Sequence, residues 1–335
     1  MADNLPVPSC APHEVLVRVH AAAVNPLDCR IREGYGAPVY RGMLPLVLGR
    51  DVSGEVVATG SSARAFPVGA QVFGALSPVS PNGTHAEYVA VSEAHLARKP
   101  ECLTHEEASA IPFAALTAWR ALFASGGEEL RAGERVLIMG GGSSVGTAAA
   151  QLALAKGCQV AATCGPRSHA RLAALGVTQL ADYTAGKAGA LSRVARDEGW
   201  APFDVALDTV GSRQSERSAI GLLRKGVGRY VTLHGQLAGL VGERGIVAGG
   251  AAAGFELMRK KMLHRASDDV GYHWAVMRQD SDAMAEIGRL ARRGALEVAL
   301  GWTLPLEEAA RAHELTEDTS VGGKVVLTPR HSSSF

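Results

Sequence analysis

The run Arg135-Val136-Leu137-Ile138-Met139-Gly140-Gly141-Gly142-Ser143-Ser144-Val145-Gly146-Thr147-Ala148-Ala149-Ala150-Gln151 decides the fold. Its apolar, partly branched start suits a buried parallel strand, the glycines suit a tight turn, and the alanine-rich end suits a helix. The first N–H groups of a helix placed there have no intrahelical partner and sit at the positive end of the helix dipole, so the turn is a cradle for a diphosphate. In the fingerprint G-x-G-x-x-G the first glycine turns the chain, the second admits the phosphates, and the third lets helix and strand approach closely. A register ending on Val145-Gly146 puts Gly141 first, Ser143 in the second place and Gly146 third; the register Gly140, Gly142 instead puts Val145 at the packing position. The first is preferred, with the Ser143 hydroxyl as an added donor to phosphate. The plain alternative is an ordinary glycine-rich turn of an α/β domain.

The whole chain of 335 residues suits two domains, with no need of disulfides or metal for stability. Lys plus Arg number 34 against 33 for Asp plus Glu, with no basic tract, which argues against nucleic acid or an anionic membrane as partner. Cys10, Cys29, Cys102, Cys158 and Cys164 form no C-x-x-C pair, which points to a reducing compartment and away from a structural zinc lobe. No apolar run approaches the ~20 residues of a membrane span, so a soluble protein is expected. The first ten residues lack the Arg-rich, acid-poor character of a transit peptide.

Outward from the central run, the N-terminal third reads as short strands. His13 to His20 alternates apolar and polar residues, and Pro45 to Val57, Val68 to Gly74 and Gly83 to Val91 add strands set off by glycines, the texture of a small β-barrel. After Pro100 the texture turns helical, with a capping box at Thr104-His105-Glu106-Glu107 and a second helix from Pro112. Beyond Arg135, strands at Gln159 to Cys164, Phe203 to Leu207 and Arg229 to Leu233 alternate with helical segments such as Ser168 to Leu175, which implies a doubly wound parallel sheet. Gly245 to Gly254 reads as a flexible Gly/Ala-rich stretch. A helix over Pro305 to His313, a strand over Gly322 to Leu327 and a Ser-rich end follow. The expected division is residues 1–113 with 300–335 as the barrel domain and 114–299 as the nucleotide domain, with a cleft between them.

These residues resemble the zinc-free quinone oxidoreductase branch of the medium-chain dehydrogenase/reductase superfamily. The resemblance is carried by Asn25-Pro26-Leu27-Asp28, Gly49-Arg50-Asp51-Val52-Ser53-Gly54, Gly83-Thr84-His85-Ala86-Glu87-Tyr88, Leu116-Thr117-Ala118-Trp119, Val145-Gly146 and Gly323-Lys324-Val325-Val326, spread over nearly the whole chain. Arg32 to Gly36, Leu48 to Gly54, Tyr230 to Leu233 and Tyr272 to Ala275 look closest to its mitochondrial reticulon-4-interacting protein 1 group. The resemblance implies an α/β chain with a Rossmann nucleotide domain and a GroES-like barrel, a mitochondrial setting and a link to ubiquinone metabolism. Two features depart from the pattern. Ser143 stands where the family carries glycine, and only eleven residues precede Pro12 where the family has a further strand pair. A shortened start, with any targeting segment outside this sequence, is the expectation.

Zinc-dependent relatives carry a His-Glu pair after the glycine that matches Gly49, and this chain has Arg50-Asp51. Cys29, Asp51 and His85 do not match a usual zinc spacing, so no metal is expected. Hydride transfer without metal needs hydrogen-bond donors at the oxygen that gains charge. The resemblance puts Asn25 near the nicotinamide, with Asp28 on the same segment, and Tyr35 is a candidate phenolic donor. The structural alternatives are an Asx turn at Asn25-Pro26, an ion pair of Asp28 with Arg30 or Arg32, and simple packing of Thr117, which the resemblance places beside the nicotinamide.

Cofactor choice turns on Ala162-Thr163-Cys164-Gly165-Pro166-Arg167-Ser168, where no acid is present to hold an adenosine 2′-OH and Arg167 and Ser168 supply a cation and a hydroxyl. NADPH is therefore expected over NADH, the alternative being that Arg167 only solvates a loop. The resemblance adds contacts from Gly142, Ser143, Ser144 and Val145 to the diphosphate, from Gly165 and Tyr183 on the adenosine side, and from Leu233, His234, Ala275, Met277, Ser320, Val321 and Gly322. His234 has acid/base potential or serves only through its backbone. The reading is a metal-independent NADPH reductase acting on a quinone or an α,β-unsaturated carbonyl, with a homodimer by analogy. The competing reading is a non-catalytic nucleotide- or partner-binding protein on the same fold, with Ser143 in its favour.

Overall fold

Alternating side chains build the first strand. In β1 (Glu14–Val24) Val15, Val17 and Val19 are fully buried and the residues between them only partly so, the two-residue period of a sheet with one face on a core. A computed structural model describes residues 5–125, 129–184, 190–200, 202–318 and 322–330. It divides the chain into two compact units, Met1–Leu116 with Met277–Phe335, and Thr117–Val276.

In the first unit β1 is followed by α1 (Pro26–Arg32), α2 (Ala37–Tyr40), β2 (Asp51–Thr59), β3 (Gln71–Ala75), β4 (Tyr88–Ser92), β5 (Leu96–Arg98), α3 (His105–Ser109) and the start of α4 (Pro112–Phe123). The second unit strings together β6 (Arg135–Met139), α5 (Ser144–Ala155), β7 (Gln159–Cys164), α6 (Pro166–Ala174), β8 (Gln179–Asp182), α7 (Ala190–Asp197), β9 (Val205–Asp208), α8 (Arg213–Ile220), β10 (Arg229–Thr232), α9 (Leu237–Arg244), α10 (Ile246–Ser267) and β11 (Gly271–Trp274). The chain then returns to the first unit through α11 (Ser281–Arg292), β12 (Leu300–Pro305), α12 (Ala309–Glu317) and β13 (Lys324–Thr328).

The first unit is a seven-stranded sheet in the order β12-β13-β1-β2-β3-β5, with β4 also on β1. A core of Val15, Val17, Val19, Val52, Val56, Val72, Val89 and Val91 fills it. The second unit is a parallel six-stranded sheet in the order β11-β10-β9-β6-β7-β8. Numbered from β6 this is 3-2-1-4-5-6, the doubly wound order whose direction of winding reverses between β6 and β9.

Two segments differ from the sequence reading. Gly245 to Gly254, expected to be flexible, begins α10, a 22-residue helix. Its run of alanines favours helix, and Gly249 and Ala253 are buried. Residues 277–299, expected in the nucleotide domain, fall in the first unit. The physical reason is α11, whose Met284, Ile287, Leu290 and Ala291 are buried, with Gly288 so placed that a Cβ on it would lie 3.4 Å from the Ala97 Cβ and 3.7 Å from the Phe73 ring.

The capping box forms as read, with Glu107 N donating to Thr104 Oγ1 at 3.2 Å and Thr104 N to Glu107 Oε2 at 2.9 Å. Thr104→Ala is expected to lower the unfolding free energy by about 1 kcal/mol, measured by urea denaturation; an unchanged midpoint would contradict this role.

Candidate functional site

The turn between β6 and α5 lies at the switch point of the parallel sheet, where an open α/β sheet binds its ligand. Gly146 is the packing glycine, because a Cβ there would sit 2.3 Å from Gly140 O. That selects the register ending on Val145-Gly146. Ser143 is the N-cap of α5: its hydroxyl accepts from Gly146 N at 3.0 Å and donates to Gly140 O at 2.9 Å, with Thr209 Oγ1 at 3.2 Å. The hydroxyl read as an extra phosphate donor is thus committed to the turn itself. The N–H groups of Gly142, Ser144 and Val145 have no partner among the described residues, and three such donors on a helix start suit a diphosphate.

Beside this turn, Gly165 caps the start of α6. A Cβ on Gly142 would lie 2.6 Å from Ser168 Oγ, and one on Gly165 would lie 3.4 Å from the Tyr183 hydroxyl. The structure therefore gathers Gly142, Gly165, Ser168 and Tyr183, and sets Arg167 exposed on the first turn of α6. Sequence reasoning missed Arg171, one helical turn beyond Ser168, whose Nη2 donates to Gly142 O at 3.3 Å. Spacing of three residues on a helix is the signal that could have found it. The nearest acid in register is Asp182, paired with Cys164 across β7 and β8, and its Oδ1 already accepts from Thr184 N and Oγ1 at 2.7 Å each.

On the other side of the switch point, His234 Nε2 lies 2.9 Å from Thr209 O. A ring nitrogen facing a carbonyl carries the proton, so this histidine donates to the backbone there. Leu233 N donates to Asp208 O and Ala275 N to Thr232 O, both extending the sheet. Thr117 lies buried in α4, and Met277 is buried at the start of the return to the first unit. Gly322 is exposed just before β13, while Ser320 and Val321 lie outside the described residues.

In the first unit Asn25 and Asp28 open α1. Asp28 is fully buried, one carboxylate oxygen accepting from Asn25 N at 2.9 Å and the other from Gly49 N at 3.0 Å. Burial pushes its carboxyl up, opposed by those N–H donors and by Arg50. This carboxylate fastens two backbone segments, and its hydrogen-bond partners are those N–H groups and not the alternative Arg30 or Arg32. Tyr35 is 37% exposed, with the Arg30 guanidinium 6.0 Å from its ring centroid. The Asn25 amide is held at both ends, Nδ2 donating to Asp51 Oδ2 at 2.8 Å and Oδ1 accepting from Lys324 Nζ. The sequence reading does not bring Asp51 and Lys324 to Asn25. The missed signal is a lone lysine opening an apolar strand, since a lysine buried in a sheet needs a partner.

The donor set does not fit a zinc ion. Cys29 Sγ donates to His313 O at 3.7 Å, Asp51 faces Lys324, and among the described residues no three His, Cys, Asp or Glu side chains could hold a metal. Arg50 is fully buried and donates to the carbonyls of Gly49, Pro78 and Ser80, holding that loop.

Burial holds His85, His105 and His313 well below the usual histidine range, each down to about 4 from 6.5. The unfolded chain binds these protons first as pH falls, so stability is expected to drop between pH 6.5 and about 4. Urea midpoints across that window should fall, and less steeply in His85→Gln/His313→Gln; equal slopes would contradict the assignment.

Comparison with known proteins agrees with this fold. An alcohol dehydrogenase GroES-like domain model matches residues 11–101 and a zinc-binding dehydrogenase model matches residues 175–327. The mitochondrial NAD(P)H oxidoreductase RTN4IP1 of Danio rerio is 32% identical over 332 residues, covering 95% of this chain and 84% of its own length. Its Homo sapiens counterpart is 34% identical over 331 residues, covering 94% and 82%. The solved quinone oxidoreductase of Coxiella burnetii superposes with a TM-score of 0.77 at 29% identity, covering 97% of this chain and 93% of its own. With such coverage, the chain belongs to the medium-chain dehydrogenase/reductase superfamily and, within it, to the family of the RTN4IP1 NAD(P)H oxidoreductases.

Proposed function

We propose that this chain is an NADPH-dependent, metal-independent reductase of quinones or α,β-unsaturated carbonyls. The observation that carries the reading is the set of uncommitted N–H groups on Gly142, Ser144 and Val145 at the sheet's switch point, in a chain whose relatives are named NAD(P)H oxidoreductases. When bound, the reduced nicotinamide supplies the hydride. The diphosphate is assigned to the N–H groups of Gly142, Ser144 and Val145, the adenosine side to Gly165 and Tyr183, and a 2′-phosphate to Arg167, Ser168 and Arg171. Met277, Leu233, His234, Ala275, Thr117, Ser320, Val321 and Gly322 complete the proposed contacts by family likeness.

At the reacting end the chain has to stabilise an oxygen that gains negative charge. Asn25 has one Nδ2 hydrogen left after bonding Asp51, and Tyr35 keeps an exposed phenol on the same unit; these are the donors we assign to that oxygen. No metal takes part in the proposed step. We propose further that it acts in mitochondria, the setting in the names of its RTN4IP1 relatives, and, on the family resemblance alone, that it has a link to ubiquinone metabolism and pairs as a homodimer.

Ser143 favours a second reading, a nucleotide-binding protein without turnover, because its hydroxyl takes the Gly146 N–H out of the cradle. Oxidation of NADPH with a panel of quinones and enones separates the two. Acceptor-dependent oxidation is expected; measurable NADPH binding with none would favour the second. NADPH should outperform NADH, and Arg167→Glu should weaken NADPH by tenfold or more, about 1.5–3 kcal/mol for contacts to a charged group, while leaving NADH little changed. Equal efficiency with both nucleotides would overturn the cofactor assignment.

A further inference from the structure

Lys324 is a single cation at the head of an apolar strand, only 4% exposed, and Asp51 is not exposed at all. Sheet register brings them together. In β1 and β13, Val24 pairs with Val325, and in β1 and β2, Ala21 pairs with Ser53. Lys324 and Asp51 thus arrive from two neighbouring strands at the end of β1, where Asn25 follows. The ammonium reaches Asn25 Oδ1, Asp51 Oδ2 at 3.3 Å and Val24 O at 3.5 Å. Three acceptors match its three hydrogens. Asp51 Oδ1 accepts from Phe113 N at 2.7 Å, at the start of α4, and Oδ2 also accepts from Asn25 Nδ2 at 2.8 Å.

These partners fix which way the Asn25 amide faces. Rotating it by half a turn would set its NH2 group against an ammonium and its oxygen against a carboxylate, exchanging two attractive contacts for two repulsive ones in a site closed to water. Lys324 has no hydrogen to spare for a reactant. Asn25 does: one Nδ2 hydrogen has no protein partner among the described residues.

We propose that Lys324 and Asp51 are positioning residues that lock the Asn25 amide in one orientation, so that its remaining Nδ2 hydrogen is the donor to the reactant oxygen. This rests on the reductase reading above. It adds that the buried ion pair acts through Asn25 and not by contact with substrate or cofactor.

Removing one partner of a buried pair leaves an uncompensated charge, so the variant of choice is the neutral pair Asp51→Asn/Lys324→Met, compared with Asn25→Ala and with the triple variant. With NADPH and 1,4-naphthoquinone, Asn25→Ala is expected to lower kcat by about 100-fold, the usual effect of losing one donor to a developing oxyanion. The neutral pair should lose nearly as much, and the triple variant should lose no more than Asn25→Ala, since residues acting as one unit are not additive. NADPH affinity by fluorescence titration should stay within about threefold of wild type. Independently of turnover, the side-chain 15N–1H pair of Asn25 should show one slowly exchanging state in the wild type and faster exchange in the neutral pair.

A neutral pair with wild-type kcat, losses that multiply in the triple variant, or unchanged Asn25 amide signals would each overturn the proposal. If the wild type itself shows no acceptor-dependent NADPH oxidation, the reductase reading fails, and the amide signals still decide whether Lys324 and Asp51 fix Asn25.

Discussion

The close approach of Gly146 to the carbonyl of Gly140 governs the nucleotide unit. With no room for a side-chain carbon between them, the first turn of α5 packs close on the glycine turn that follows β6, at the switch point of the sheet. Backbone geometry then supplies the donors. Ser143 spends its hydroxyl on closing the turn, which costs the cradle the Gly146 N–H and leaves those of Gly142, Ser144 and Val145. A helix start stabilised in this way holds its shape before any ligand arrives, the preorganisation that limits the entropy lost on binding.

The first unit solves a different problem, that of keeping charge inside a small β-sheet. Asp28, Arg50, Asp51 and Lys324 are all buried, and each is matched by backbone donors, carbonyls or an opposite charge. Asp28 ties Asn25 to Gly49, Arg50 ties the loop at Pro78 and Ser80, and Asp51 ties Lys324, Asn25 and the start of α4. Half-satisfied polar networks are costly and satisfied ones rigid, so these contacts give Asn25 a defined place that hydrophobic packing alone would not.

The fold was legible because its signals are local. The alternation from His13 to His20, the box at Thr104 and the glycine turn at Gly140 each report on neighbours in sequence, and β1, α3 and α5 form where those signals stand. The segment Gly245 to Gly254 misled because glycine content outweighed its alanines in the reading, whereas burial of Gly249 and Ala253 decides the helix. The site was less legible. The partners of Asn25 lie 26 and 299 residues away, and only sheet register brings them there. Asp28 was legible as a carboxylate in a motif, but its partners, two backbone N–H groups from separate segments, were not.

The most direct measurement is a titration of the 15N-labelled protein with NADPH, followed at the backbone amides of the β6–α5 turn. The account predicts that Gly142, Ser144 and Val145 shift together and saturate at one nucleotide per chain, while Gly146, held by Ser143, moves less. Saturable binding that leaves those three amides unmoved, or no binding at all, would contradict it.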